Sequence, residues 1–186
     1  MNTKSMMEGA IHDVSRKQND ATKTVINSWR RVAWILILLA DVGLLAWGAM
    51  AAIAPERLLG PNSMPILKAE YEGFTGYSWS EFIATAPKTA DLLTLIFRMY
   101  GIYGVAFSLM AIIITITAFR RGDRWAWWAL LVGNTLTYIS AMTYDQIARA
   151  VGPFEMTEYI ALAAVYFALA VTTPFHSARW TGQSTD

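Results

Sequence analysis

Residues 92–119 read LLTLIFRMYGIYGVAFSLMAIIITITAF, and this apolar stretch carries one charged residue, Arg98. A helix needs about 20 residues to cross a bilayer, so the stretch is long enough to cross one. It lacks the alternating polarity of a barrel strand, and a helix satisfies its own backbone hydrogen bonds in lipid. The stretch therefore predicts a transmembrane helix.

Three further apolar segments accompany it, at residues 32–54, 125–144 and 156–175. Composition supports the same interpretation, because 55% of the residues are hydrophobic and only 16% are charged. Soluble domains carry about 25% charged residues. We therefore predict an all-α fold over residues 32–175, an integral membrane four-helix bundle that lies in the lipid bilayer.

Lysine and arginine are unevenly divided between the two sides of such a bundle. Ten of the fifteen lie in residues 1–31, in the turn 120–124 and in residues 176–186, whereas only four lie in the opposite loops. Cytoplasmic segments carry an excess of these residues. Residues 1–31 and 176–186 are therefore predicted to be cytoplasmic tails. Residues 1–31 also lack the apolar core of a secretory signal, so we expect the first span to remain as an anchor.

The outer loop, residues 55–91, is the one long connection in this topology. Long ordered loops are often functional. Ser78 and Glu81 have the spacing of a capping box, which predicts a short helix that ends before Pro87. We expect this helix to lie on the outer membrane surface, where it either packs on the bundle or covers its mouth. The loop is too apolar for a free linker because it contains Tyr71, Phe74, Tyr77, Trp79 and Phe82.

Asp41 lies near the middle of the first predicted span, where an ionisable group is costly and suggests a function. The helical rise puts Asn134, Tyr166 and Ser108 at a similar depth. Asp41 is therefore the candidate catalytic residue, a proton-handling acid or base beside a hydrophobic ligand. The alternative is structural: a protonated Asp41 would donate a hydrogen bond to Asn134 and join two helices.

Arg98 belongs to an outer layer of polar side chains that also includes Tyr103, Asp145 and Glu158. One interpretation is an ion-pair cluster that ties three helices together, since charges inside membranes usually pair with one another. The other is that the planar guanidinium group of Arg98 binds an anionic or carbonyl-bearing headgroup. The residues alone leave both interpretations open.

A polar stripe follows the third span, because Asn134, Tyr138 and Asp145 lie at spacings that share one helix face. Gly101 and Gly104 in the second span indicate close helix packing. The stripe, the outer layer and Tyr166 at mid-depth together supply the ligand-binding candidates. These are Arg98, Asn134, Tyr138, Asp145, Glu158, Tyr166 and Tyr103.

Several chemistries are excluded or disfavoured. The absence of cysteine excludes disulfides, thiol redox chemistry, iron–sulfur clusters and c-type haem. The only histidines, His12 and His176, lie outside the predicted spans, so we expect no metal and no haem between the helices. Phosphate-binding and dinucleotide-binding motifs are absent. The net charge of +1 and the lack of a recognition motif indicate no nucleic-acid partner.

Three stretches carry a resemblance to a known family. They are Gly76–Trp79 (GYSW) with the later Pro87, Phe97–Gly101 (FRMYG), and Phe119–Trp127 (FRRGDRWAW). The chain resembles small four-helix bacterial membrane proteins of the DoxX-like type, many of which have no assigned activity. The resemblance implies a multi-pass protein of the bacterial inner (plasma) membrane. The DoxX branch is associated with thiosulfate oxidation coupled to quinone in a two-subunit enzyme, but no residue here marks a thiosulfate site.

Three functional hypotheses remain at this point. The favoured one is a membrane subunit of a redox system that binds a hydrophobic ligand, a quinone or lipid, through Arg98 and the stripe. Quinone is then the expected cofactor, and a membrane or peripheral protein is the expected partner. The second is a structural or assembly subunit of a larger membrane complex. The third is a membrane enzyme that acts on a lipophilic substrate with Asp41.

Overall fold

A computed structural model of the protein describes the backbone of residues 3–60, 63–152 and 156–173, with side chains from residue 28 onward. Within these ranges the chain is helical, and its one β contact is an isolated bridge between Leu59 and Pro65. The prediction of an all-α fold is confirmed. Residues 176–186, predicted to be a cytoplasmic tail, lie outside the described residues.

Six α-helices follow one another in the described chain. A π turn, Thr115–Phe119, continues the fourth helix, and a short 3-10 turn, Pro55–Arg57, follows the first. The helices are α1 (Thr3–Ile53), α2 (Ile66–Thr75), α3 (Trp79–Thr85), α4 (Pro87–Ile114), α5 (Arg124–Ala148) and α6 (Met156–Val171).

The ends of the long helices differ from the predicted spans for local reasons. The backbone of α1 runs through most of the predicted tail into the first span. α4 begins at Pro87. Proline suits this position because N–H groups in the first turn of a helix have no partner within the helix, so the N–H group that proline lacks is not missed there. α5 extends to Ala148 and ends where Arg149 adopts a left-handed φ of 55°. α6 ends at Val171, and residues 174 and 175 of its predicted span are not described.

Two of the described helices are long and apolar enough to cross a membrane. They are Ser28–Ile53, with a mean hydropathy of 2.1, and Pro87–Phe119, with a mean hydropathy of 2.2. α6 is equally apolar in character but has only 16 residues. α5 is long enough, but its tryptophan, threonine, tyrosine and asparagine residues lower its mean hydropathy.

The four long helices share a hydrophobic core. α1 packs against α4 and α6, and α5 packs against α6 and, less extensively, α4. Small and branched side chains from all four helices fill the space between them, which lets the backbones approach closely. The core consists of Ala33, Ile37, Ala111, Ala118, Phe119, Ala126, Leu130, Val165, Ala168 and Leu169.

The contact between α1 and α4 is especially close. A Cβ atom added to Gly101 would lie 2.6 Å from the backbone nitrogen of Ala52, and one added to Gly48 would lie 2.9 Å from the Gly101 oxygen. Only glycine fits where two backbones approach to this distance. The predicted role of Gly101 in close helix packing is confirmed.

The loop between α1 and α4 contains two short helices instead of the single predicted one. α2 packs against α5, and Gly73 lies directly against the backbone oxygen of Ala148. The predicted short helix does begin at Trp79, but not through a capping box. The Trp79 N–H donates to Glu72 Oε1 at 2.9 Å, while the Ser78 hydroxyl pairs with that of Ser80.

Candidate functional site

A cavity of about 450 Å³ lies between α1, the start of α6 and Tyr138 of α5. Cavities of this size hold small molecules in other proteins. It is open along the surface of the helices, since Leu39 and Met50 at its edge are 63% and 39% exposed. Its lining comprises Leu39, Ala40, Gly43, Leu44, Ala46, Trp47, Met50, Leu58, Tyr138, Thr157, Glu158 and Ala161.

A few polar groups interrupt the apolar lining. The indole Nε1 of Trp47 is buried and has no hydrogen-bond partner in the described part of the chain. Its ring is held by edge contacts with Phe97 and Tyr100 of α4, at centroid distances of 6.3 and 5.6 Å. A buried N–H group is costly when unpaired, so an acceptor brought within reach of Trp47 Nε1 would gain a hydrogen bond.

Tyr138 lies between the cavity and the core of the bundle. It is 3% exposed, and its hydroxyl donates to the Ala40 oxygen at 3.5 Å, which is long for a hydrogen bond. Tyr138 therefore lines the cavity and also reaches the backbone of Ala40, which directly precedes Asp41.

Asp41 and Asn134 are both fully buried, as the predicted middle layer requires. The Asn134 amide donates to the Leu130 oxygen at 3.0 Å, but Asn134 Oδ1 and both carboxylate oxygens of Asp41 have no hydrogen-bond partner among the described residues. The hydrogen bond expected between Asp41 and Asn134 is therefore not formed. Thr115, at the start of the π turn, also buries a hydroxyl without a partner in this part of the chain.

The polar stripe on α5 faces the interior. Asn134, Tyr138 and Asp145 are all buried, together with Leu130 and Ala148 on the same face. The expectation that these three side chains share one helix face is confirmed by this burial pattern, which follows the spacing of an α-helix.

An acidic cluster lies at the Asp145 end of this stripe and includes a residue that the sequence analysis missed. Glu70 of α2 is 6% exposed, and the Tyr144 hydroxyl donates to its Oε2 at 3.3 Å. The spacing of Ile66, Ala69, Glu70 and Gly73 on one helix face was the signal that could have identified Glu70.

Arg98 lies apart from both the cavity and an ion-pair cluster. It is half-buried and forms no ion pair with Asp145 or Glu158 in the described chain. Phe97 and Gly101 of α4 face α1. Each residue in a helix is rotated by about 100° from the one before it, so Arg98 does not share the face of Phe97. The ion-pair interpretation of Arg98 is therefore wrong, and the cavity contains no arginine or lysine.

Two other candidates lie on the outside of the helices. Tyr103 is 66% exposed, and Tyr166 is 37% exposed. The Tyr166 hydroxyl pairs with that of Thr135 at 2.9 Å, across the seam between α6 and α5. Neither tyrosine joins Asp41 and Asn134 in the interior. Of the predicted ligand-binding residues, the structure brings Tyr138 and Glu158 to the cavity.

No group of three or more metal-binding side chains occurs among the residues that the structure describes. The cavity instead combines an apolar lining with a tryptophan, a tyrosine and a glutamate. Comparison with protein-family models, with curated proteins and with solved structures finds no match to this chain.

Proposed function

We propose that the chain is a four-helix integral membrane protein that binds a lipophilic molecule in the cavity between α1 and α6. Two helices with the length and composition of membrane spans support the first part. The outer faces of α5 and α6 add support, because they expose Leu136, Ile139, Ile160 and Phe167, which water would not favour. The excess of lysine and arginine around the termini favours a cytoplasmic location for both tails.

The cavity is the observation that carries the ligand-binding function. Its wall on α1 is apolar and suits a hydrocarbon chain or ring, and its opening along the helix surface gives access from the lipid phase. The free N–H group of Trp47 suits a hydrogen-bond acceptor on the head of the ligand. A quinone or a lipid with a carbonyl head combines both properties. The resemblance to DoxX-like proteins supports a membrane subunit of a redox system in the bacterial inner membrane, together with a protein partner.

Gly43 offers a direct test. A Cβ atom added to this glycine would meet nothing within 4 Å, so a larger side chain would enter the cavity without striking the backbone. We expect Gly43→Leu to remain folded and to lose the lipophilic molecule that copurifies with the wild type. The measurement is mass spectrometry of organic extracts from protein purified in mild detergent.

Val42→Leu is the matched control, because Val42 is 45% exposed, adjacent in sequence and absent from the cavity lining. This variant should retain the copurified molecule. A wild-type protein that retains no specific lipophilic molecule, or equal retention by both variants, would contradict the proposal. The structural or assembly-subunit hypothesis would then be favoured.

A further inference from the structure

Asp41 is buried and directly follows Ala40, which lines the cavity, and its carboxylate has no hydrogen-bond partner in the described part of the chain. Its side chain has no exposed surface, and neither oxygen accepts a hydrogen bond from the described residues. Ile37, one turn earlier on the same helix, is equally buried. A buried charge without a partner is unfavourable, and one proton removes that charge from a carboxylate.

Tyr138 connects this carboxylate to the cavity. Its side chain lines the cavity, while its hydroxyl approaches the backbone oxygen of Ala40, the neighbour of Asp41. The Tyr138 hydroxyl therefore lies at the backbone of the residue that directly precedes Asp41. The existing bond to Ala40 is long at 3.5 Å, so the hydroxyl can exchange it for a better acceptor at little cost.

We propose that Asp41 is a proton-binding site that is linked to occupancy of the cavity through Tyr138. The inference rests on the proposed ligand-binding function. When a carbonyl head enters, the Tyr138 O–H group donates to it and is no longer available to stabilise an ionised Asp41. A protonated Asp41 does not compete for this donor and can itself donate to the Tyr138 oxygen. Ligand binding therefore favours the protonated carboxyl, and protonation of Asp41 strengthens ligand binding.

Among the described residues, the titratable side chains that line the cavity are Tyr138 and Glu158. Glu158 is therefore the other titratable residue that could produce a similar pH dependence, and the test must separate it from Asp41.

The test measures the binding of decylubiquinone to full-length protein in detergent at a series of pH values. Proton uptake is followed with an indicator dye in weak buffer. In the wild type we expect affinity to fall as the pH rises through the titration of Asp41, with a limiting slope of about tenfold per pH unit. Binding should take up protons over the same range.

In Asp41→Asn the amide has a donor at every pH, so binding should become independent of pH and proton uptake should vanish. Tyr138→Phe keeps the ring but removes the connecting hydroxyl, and should bind without proton uptake. Asp91→Asn is the matched control. Asp91 is exposed near the start of α4 and lies outside the cavity, so this variant should keep the wild-type slope.

The inference is overturned if decylubiquinone binds but Asp41→Asn keeps the wild-type pH dependence. It is also overturned if Glu158→Gln alone abolishes that dependence. Either result leaves the proposed cavity function in place. If the wild type fails to bind the quinone at every pH, a quinone-binding function itself is contradicted, together with the inference that depends on it.

Discussion

The helix α1 meets α4 and α6 in two different ways. Toward α4, the backbones approach so closely that an added Cβ at Gly101 would lie 2.6 Å from the Ala52 nitrogen. Toward the start of α6, the helices leave a cavity of about 450 Å³, and an added Cβ at Gly43 would meet nothing within 4 Å. Glycine therefore permits contact on one side of α1 and leaves space on the other.

This difference shows how a small bundle can be rigid and still keep a site open. The close contact with α4 fixes α1, and Phe97 and Tyr100 of α4 hold the ring of Trp47 in place. Trp47 in turn lines the cavity on the other side. The close contact between α1 and α4 thus fixes the position of a ring that lines the cavity. The two sides of α1 should respond differently to mutation.

The largest effect is expected at the tight contact. In Gly101→Leu the new side chain would overlap the backbone of α1, including the Gly48 oxygen at 2.7 Å from its Cβ. Backbone atoms cannot move aside cheaply, so we expect a loss of about 3 kcal/mol or more in the free energy of unfolding. Thermal unfolding in detergent and the yield of monodisperse protein measure this loss.

Gly104→Ala is the matched control for Gly101→Leu. The nearest atoms to an added Cβ at Gly104 lie at 3.7 and 3.8 Å, which is ordinary contact. This variant should unfold near the wild-type temperature. Equal tolerance of both substitutions would mean that α1 and α4 are not held in close contact.

A smaller effect is expected at the cavity. Trp47→Phe removes the Nε1 donor and keeps an aromatic ring against Phe97 and Tyr100. The lost hydrogen bond should weaken quinone binding by about tenfold, with little change in the unfolding temperature. Trp29→Phe, at a ring that is 47% exposed and outside the cavity, should leave affinity unchanged. An unchanged affinity in Trp47→Phe would remove Trp47 from the ligand site.

The smallest effect is expected at Arg98. Since this side chain does not line the cavity, Arg98→Gln should change quinone affinity by less than about twofold, because the cavity and its polar groups remain intact. The same binding assay measures it. Loss of the copurified molecule in Arg98→Gln would place the ligand at the outer layer, as the sequence analysis favoured, and not between α1 and α6.

The spacing of residues within single helices was sufficient to predict part of the structure. The spacing of Asn134, Tyr138 and Asp145 predicted their common face, because one helix determines it. Gly101 predicted a close contact, although not its partner. Ser78 marked the start of α3. The cap comes from Glu72 of α2, and it could not be predicted because α2 itself was not predicted.

The cavity could not be predicted, because it depends on where two helices diverge. Gly43 and Ala161 line it from opposite sides, more than one hundred residues apart in the chain. Burial of Glu70 required α2 to pack on α5, and the position of Arg98 required the rotation of α4 around its own axis. Each of these features results from packing between elements, which the helical period of a single segment does not determine.

Trp47 also gives the cavity an optical property. Indole emission shifts with the polarity of its surroundings, and a quinone in contact with the ring quenches it. The chain has eight tryptophans, and Trp29, Trp125 and Trp128 are exposed on the surface, outside the cavity. If the emission that is lost on ligand binding is also missing in Trp47→Phe, that emission comes from the Trp47 ring. The protein carries its own fluorescent reporter of cavity occupancy.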